Sequence, residues 1–322
     1  MAQVTEKANL TLVPAGRLRD DADRSPWQRI SRARTAYLLL LPIFLSLAVF
    51  VYYPPLSALY HAFFNWDPTG KSTFVGFSNF QAMPQDSILM NSVWNLVRML
   101  VFAVIVTVSV PLIVAEMIFS LRSASAQYLY RVLFLIPVVV PLIVIVLLWK
   151  FIYDPNIGLL NDLLAVMGLG GLQHAWLGEV DTALYSVMFL GFPWVTGTSV
   201  LIYMAGLMAI PSEVMEAGAL DGATGLRRIW HIDLPLLLGQ VKLFIVLGII
   251  NGVQQFQIQY VLTQGGPAWA TEVPGLRMYQ AAFNDGNLGY ASAIGLVLFV
   301  VVLLMTIINF RFIRTSTDYD VR

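Results

Sequence analysis

Residues 211–235, PSEVMEAGALDGATGLRRIWHIDLP, lie between two long apolar runs and carry Glu213, Glu216, Asp221, Arg227, Arg228 and Asp233. Hydrocarbon offers such groups no partners, so the stretch reads as a loop in water between two membrane segments. It is also patterned. Pro211 suits a first helical position, and Glu213 and Glu216 fall in the opening turns, where acids complement the helix dipole. Val214, Ala217 and Gly218 recur at i, i+3 and i+4 as a small apolar face. Asp221-Gly222 signals a turn. A second helical stretch fits from Thr224 to about His231, with Pro235 limiting it. Two short helices joined at a glycine suit docking to another protein. Packing on the chain's own body is the alternative that pattern alone leaves open.

Composition supports the membrane reading. The 322-residue chain is 58% hydrophobic and 12% charged, against about 25% charged in a soluble domain. Its length is therefore spent on spans, each needing roughly 20 apolar residues. Six candidates appear, at 35–64, 92–121, 130–153, 182–208, 236–262 and 290–312, which makes the fold class an all-α polytopic membrane protein. Pro42, Pro54 and Pro55 in the first, and Pro137 and Pro141 in the third, predict kinks. Residues 1–34 read as a polar, basic tail, and 35–322 as the transmembrane domain. The connections opposite the 211–235 loop contain short apolar pieces at 157–164 and 276–283, readable as interfacial helices or as ordered loops.

Lys and Arg set the orientation. Arg122, Arg131, Arg227, Arg228, Arg311, Arg314 and Arg322 share the side of the basic tail, whereas residues 154–181 hold four acids and no Lys or Arg. Both termini and the 211–235 loop are thereby expected in the cytoplasm. The formal net charge of zero gives no ground for a nucleic-acid partner, and with no cysteine the chain has neither disulfides nor thiol chemistry.

No phosphate loop of the form G-x-x-x-x-G-K-[ST], no H-E-x-x-H and no G-x-S-x-G occurs, and His61, His174 and His231 are far apart. No catalytic set and no metal site is expected. Glu116 and Arg122 read as a polar pair, explained by snorkelling at a helix end. The fifth span is more informative, because Asn251, Gln254, Gln255, Gln257 and Gln259 interrupt an apolar run. Asn251, Gln254 and Gln255 fall at i, i+3 and i+4 and so share a face. Each amide donates and accepts, which suits a polyhydroxylated ligand as well as bonds between helices. Trp194, Thr198 and Tyr203 add an aromatic ring and hydroxyls from the fourth span.

The 211–235 loop resembles the signature of membrane subunits of bacterial ABC-type importers: E-A-A, three residues, G, nine residues, I-x-L-P. Here it reads Glu216-Ala217-Gly218, Gly222 and Ile232-Asp233-Leu234-Pro235 with every gap kept, and Gly218 replaces the usual Ala. FVGFSNF (74–80), YDPNIGLLN (153–161), DGA (221–223), LTQGGP (262–267) and GYASA (289–293) resemble the carbohydrate branch, the group of maltose and glycerol-phosphate permeases.

The resemblance implies a type I importer fold with a cytoplasmic coupling helix in a bacterial plasma membrane. The implied partners are a second, related permease subunit, two ATPase subunits that bind the ATP and Mg, and an extracytoplasmic solute-binding protein. This chain itself would hold no cofactor. Glu213, Glu216, Ala217, Gly218, Asp221, Gly222, Ile232, Leu234 and Pro235 would form the ATPase-docking element. Trp194, Thr198, Asn251, Gln254 and Gln255 would line the solute path. The rival reading is an ion-driven secondary transporter or channel, which calls for intramembrane carboxylates and an inverted repeat. Neither is evident.

Overall fold

A computed structural model describes residues 34–312, and the tail at 1–33, Arg314 and Arg322 lie outside the described residues. The chain divides at Ser57/Ala58 into two compact units. The boundary falls inside the first helix, α1, which runs from Arg34 through a π-helical turn at Ala48–Tyr52 to His61. The described residues are otherwise mostly helical, joined by turns and irregular loops. The strands among them form one two-stranded antiparallel pair, β1 (Phe64–Asn65) and β2 (Thr73–Phe74), in which Phe64 faces Phe74. Asp67 tightens its turn by accepting bonds from the Thr69 backbone N–H and hydroxyl, both at 2.8 Å.

The second unit is built around one long helix. After the short α2 (Ser78–Ala82), α3 runs for 33 residues, Ser87–Phe119, about 50 Å at 1.5 Å per residue. Asp86 starts it, taking the N–H groups of Ile88 and Leu89 on Oδ1 at 3.0 Å each. Its other oxygen accepts from Arg277 Nε at 2.9 Å and from the Tyr290 hydroxyl at 3.0 Å. One cap thus ties three helices together. Burial acts to raise the Asp86 pKa, but the hydrogen bonds from Leu89, Arg277 and Tyr290 outweigh it and hold the carboxyl below its ordinary value.

The remaining helices follow in order. They are α4 (Ala124–Val139), α5 (Leu142–Ile152), α6 (Leu159–Val166), α7 (Val180–Phe189), α8 (Gly197–Met208), α9 (Ser212–Leu220), α10 (Leu226–Leu236), α11 (Leu238–Gln254), α12 (Gln257–Leu262), α13 (Pro274–Phe283) and α14 (Leu288–Phe312). Three helices among the described residues are long and apolar enough to cross a membrane, and six spans result if each bent pair counts as one. The α4/α5 bend of 87° falls at Pro141, one of the prolines expected to kink the third span. The pieces expected at 157–164 and 276–283 fall on the helices α6 and α13, with 157 and 158 ahead of α6.

Two spans differ from the sequence expectation. The fourth is not continuous: α7 stops at Phe189 and α8 starts at Gly197. Gly191 takes a left-handed φ of +82°, and Pro193 disfavours helical backbone at Phe192, so no helix bridges the gap. The fifth span breaks after Gln254, where Gln255 turns extended, and resumes at Gln257 as α12.

The core forms along α3. At one end Ala115 and Ile118 pack with Val200, Tyr203, Met204 and Leu207 of α8 and with Phe244 of α11. Midway, Leu96 and Leu100 meet Val253 of α11. Near the other end Leu89 packs with Ala281 of α13 and Tyr290 and Ile294 of α14.

Candidate functional site

Helix α9 begins at Ser212, with Pro211 as its N-cap rather than its first residue; the Val214 and Met215 N–H groups return to the Pro211 carbonyl. It closes in a Schellman turn. Gly222 adopts φ +75°, its N–H bonds to Ala219 O at 3.1 Å, and Ala223 N–H bonds to Gly218 O at 2.8 Å. The turn read from Asp221-Gly222 therefore satisfies the helix's last carbonyls as it reverses the chain.

The second helical stretch is longer than the sequence suggests. It runs from Leu226 through a π-helical turn at Ile229–Asp233 and passes Pro235 before stopping at Leu236. The wide turn comes just before the proline and shifts the bonding pattern, so the absent N–H costs no regular bond.

The loop residues divide by exposure. Glu213, Glu216, Ala217, Asp221, Gly222 and Pro235 are exposed. Gly218 and Ile232 face each other instead, and a Cβ on Gly218 would run into Ile232 Cδ1. The glycine at the usual alanine position thus makes room for the isoleucine of I-x-L-P. Leu234 is half-buried. Three apolar side chains not singled out by the motif lie on the outside: Leu220, 90% exposed, Leu226, 75%, and Trp230, 66%.

The loop is anchored by two ion pairs of Arg228 that the sequence pattern does not reveal. Arg228 Nε lies 2.8 Å from Asp233 Oδ2, and its Nη2 lies 3.2 Å from Glu116 Oε2 at the end of α3. Both carboxylates are buried, and the guanidinium rests 5.5 Å from the centre of the Phe119 ring. Glu116 and Arg122, readable as a pair but assigned to snorkelling, do not meet. Arg122 is exposed, whereas Glu116 turns inward toward Arg228.

The polar residues of the fifth span border two cavities. One, of about 400 Å³, lies between α3, the broken segment 190–196 and the α11/α12 break; Trp194, Thr196, Gln255 and Gln259 line it. The other, of about 630 Å³, lies against α5 and holds Asn251, Gln254, Gln255 and Gln257. Gln255 is common to both. Asn251, Gln254 and Gln255 thus border one cavity together, as their shared face predicts, and because the helix ends before Gln255 that residue also reaches the other. Trp194 has φ +57° and donates from Nε1 to Met188 O at 3.2 Å. Its ring meets Phe102, Phe189 and Phe192 at 5.0–5.3 Å.

Thr198 is exposed and lines neither cavity, and Thr196 takes the place beside Trp194. Tyr203 is fully buried against Phe244. Gln259 is buried with Oε1 lacking a partner among the described residues.

Known proteins share this architecture. The family described as binding-protein-dependent transport system inner membrane component matches residues 96–316. The probable ABC transporter permease protein YurN of Bacillus subtilis is 32% identical over 88% of this chain and 97% of its own. The diacetylchitobiose uptake system permease protein NgcF of Streptomyces coelicolor is 32% identical over 86% and 81%. The sn-glycerol-3-phosphate transport system permease protein UgpA of Brucella abortus is 33% identical over 88% and 96%. A chain of a bacterial ABC transporter involved in the import of the acidic polysaccharide alginate superposes with a TM-score of 0.77 at 20% identity, over 89% of this chain and 99% of that one, a likeness of fold. The same fold match appears in that transporter's complex with a periplasmic protein bound to alginate pentasaccharide. This chain thus belongs to the binding-protein-dependent inner membrane components: it is a multi-pass permease subunit of an ABC importer and not itself an enzyme.

Proposed function

We propose that this permease carries a carbohydrate or related polyol, handed over by an extracytoplasmic binding protein, and that residues 211–235 seat in the ATPase subunits on the cytoplasmic side. The observation that carries the reading is the pairing of two features. One is an exposed two-helix loop whose acids lie beside Leu220, Leu226 and Trp230. The other is a set of amide-bearing cavities along the span that follows it. The Lys and Arg distribution supports a cytoplasmic loop with both termini on that side. Relatives named for diacetylchitobiose and glycerol 3-phosphate support the solute class.

In this mechanism the partner ATPases close on ATP and draw the coupling loops together. The loop is pinned to α3 through Arg228 and Glu116, so its displacement is passed to the helix that walls the Trp194 chamber. The two states bind nucleotide and solute with different affinities, so each ligand shifts the balance between them, and ATP hydrolysis on the partner subunits gives the cycle its direction. Glu213, Glu216, Ala217, Asp221, Gly222 and Pro235 present the docking surface. Gly218, Ile232 and Leu234 hold its shape. Trp194, Asn251, Gln254 and Gln255 contact solute, and Thr198, on the outer face of α8, meets the second permease subunit, a related but non-identical chain.

The test is uptake into proteoliposomes holding this chain with its partner permease, two ATPase subunits and binding protein. Uptake should require ATP and persist when ion gradients are collapsed. Uptake that follows a proton or sodium gradient without ATP would sink the proposal.

A further inference from the structure

The amide stripe of the fifth span continues past the chamber. Gln257 and Tyr260 carry it along α12, and Tyr260 is the shared wall between the Asn251–Gln254 groove and a further cavity of about 640 Å³. This outer cup lies at the end of the span remote from the coupling loop. Its lining combines two half-exposed aromatic rings, Tyr260 and Trp269, with the amides of Gln264, Gln280 and Asn284. Its floor is the ion pair of Arg277 with Asp285 at 2.9 Å.

The backbone presenting these groups is strained. Gln264, Ala268 and Trp269 have φ of +54°, +45° and +63°, values that residues bearing a Cβ rarely adopt. The loop is held there from behind. Asn91 and Asn95 donate to Trp269 O at 2.9 and 3.2 Å, Asn95 also donates to Glu272 O at 3.0 Å, and the hydroxyls of Thr263 and Thr271 are 2.6 Å apart. Strain that the surroundings enforce so fully is concentrated at ligand clamps.

We infer that the cup is an outer subsite for a neutral saccharide ring, occupied on the way to the chamber of Trp194 and Gln255. An indole face packs against the C–H face of a pyranose, and each amide meets a hydroxyl as donor and acceptor at once. The charge pattern selects against acidic solutes. The Arg277 guanidinium already faces two carboxylates, Asp86 at 2.9 Å and Asp285 at 2.9 Å, and offers no unmatched cation. The tyrosine shared by cup and groove makes the passage between them a short step along one helix.

This assignment rests on the carbohydrate reading, and the experiment separates the two. Saturation-transfer NMR is recorded on the complete transporter in nanodiscs, with diacetylchitobiose, maltose and sn-glycerol 3-phosphate as probes. A neutral disaccharide should receive saturation, and Trp269→Ala or the double variant Gln264→Ala/Gln280→Ala should each cut it by about fivefold or more. The two variants alter different walls, and co-purification of the other subunits checks assembly of each. Signal that survives both variants but vanishes in Gln255→Ala overturns the cup and leaves the carbohydrate reading standing. Signal from neither disaccharide in the wild type overturns the carbohydrate reading and the cup with it. Glycerol phosphate that is bound as strongly as the disaccharides and lost in the cup variants overturns the selection for neutral rings.

Discussion

Arg228 and Glu116 stand 112 positions apart, and their side chains meet at 3.2 Å, joining the signature loop to the end of the central helix. Arg228 also holds Asp233 at 2.8 Å, so one guanidinium serves two buried acids. The remaining oxygens, Glu116 Oε1 and Asp233 Oδ1, have no hydrogen-bond partner among the described residues. The arrangement is worth little as a surface ion pair and much as a restraint, because removing the cation strands two carboxylates away from water.

Arg228→Ala should therefore destabilise the permease by about 3–5 kcal/mol. Arg228→Lys should recover only part of this, since an ammonium cannot reproduce the guanidinium fork between two acids. Thermal melting of the purified complex measures the first effect, and ATP-dependent uptake by the lysine variant measures the second. Wild-type melting of Arg228→Ala would show that the bridge does not hold the loop.

The contact between Gly218 and Ile232 gives a second prediction. Gly218→Ala gains about 1 kcal/mol of helix propensity but forces the Ile232 side chain to move. The single variant should be close to neutral, and Gly218→Ala/Ile232→Val should be the more stable of the two. A double-mutant cycle on melting temperatures reads the coupling, and simple additivity would mean that the two sites do not interact.

On the exposed face of α9, Glu216→Ala and Leu220→Ala should each weaken capture of the ATPase subunits by about tenfold, the size of a moderate interface hot spot. Both side chains point away from the body, so melting of the permease should not change. Co-purification at matched expression tests this. Unaltered capture by both variants would move the docking surface elsewhere.

Along the solute path, Gln255→Ala should raise the KM for uptake more than Asn251→Ala does, because Gln255 borders both cavities and Asn251 one. Assembly should be intact in each. Equal, wild-type kinetics for both would reduce these amides to bonds between helices.

Glu272 supplies a pH dependence. Its side chain is fully buried in the loop before α13, and Gly265 packs against its carboxyl. Burial raises its pKa from 4.5 to about 7, against a lowering by the Gln280 hydrogen bond and the Arg277 charge and a further rise from Asp86. The folded protein thus keeps a proton that the unfolded chain releases near 4.5. This group's contribution to stability is fully present below that pH and declines as pH rises through about 7. Glu272→Gln should melt higher than wild type at pH 8, with the gap narrowing toward pH 4.5 in a thermal-shift series. A constant gap at all pH values would mean that Glu272 does not titrate in this range.

Much of this molecule is written locally. Composition alone dictates a membrane protein, since hydrocarbon excludes unpaired backbone and charge. The spacing Glu216-Ala217-Gly218, Gly222, Ile232-Asp233-Leu234-Pro235 specifies two short helices and the turn between them, because helix starts, left-handed glycines and prolines act over a few residues. What the sequence does not carry is the pairing of distant groups. Arg228 sits six residues from Gly222 but 112 from Glu116 of α3, and only the packing of α8 and α11 on that helix brings the two within reach. The phase of the solute path is likewise a tertiary outcome. The fifth span breaks at Gln255 with no proline or glycine at the break, and a helix face advances about 100° per residue, so one residue decides whether an amide borders one cavity, as Gln254 does, or both, as Gln255 does. Thr196 faces the chamber and Thr198 does not for the same reason: the end of a broken helix is set by what packs around it, and no run of neighbouring letters encodes that.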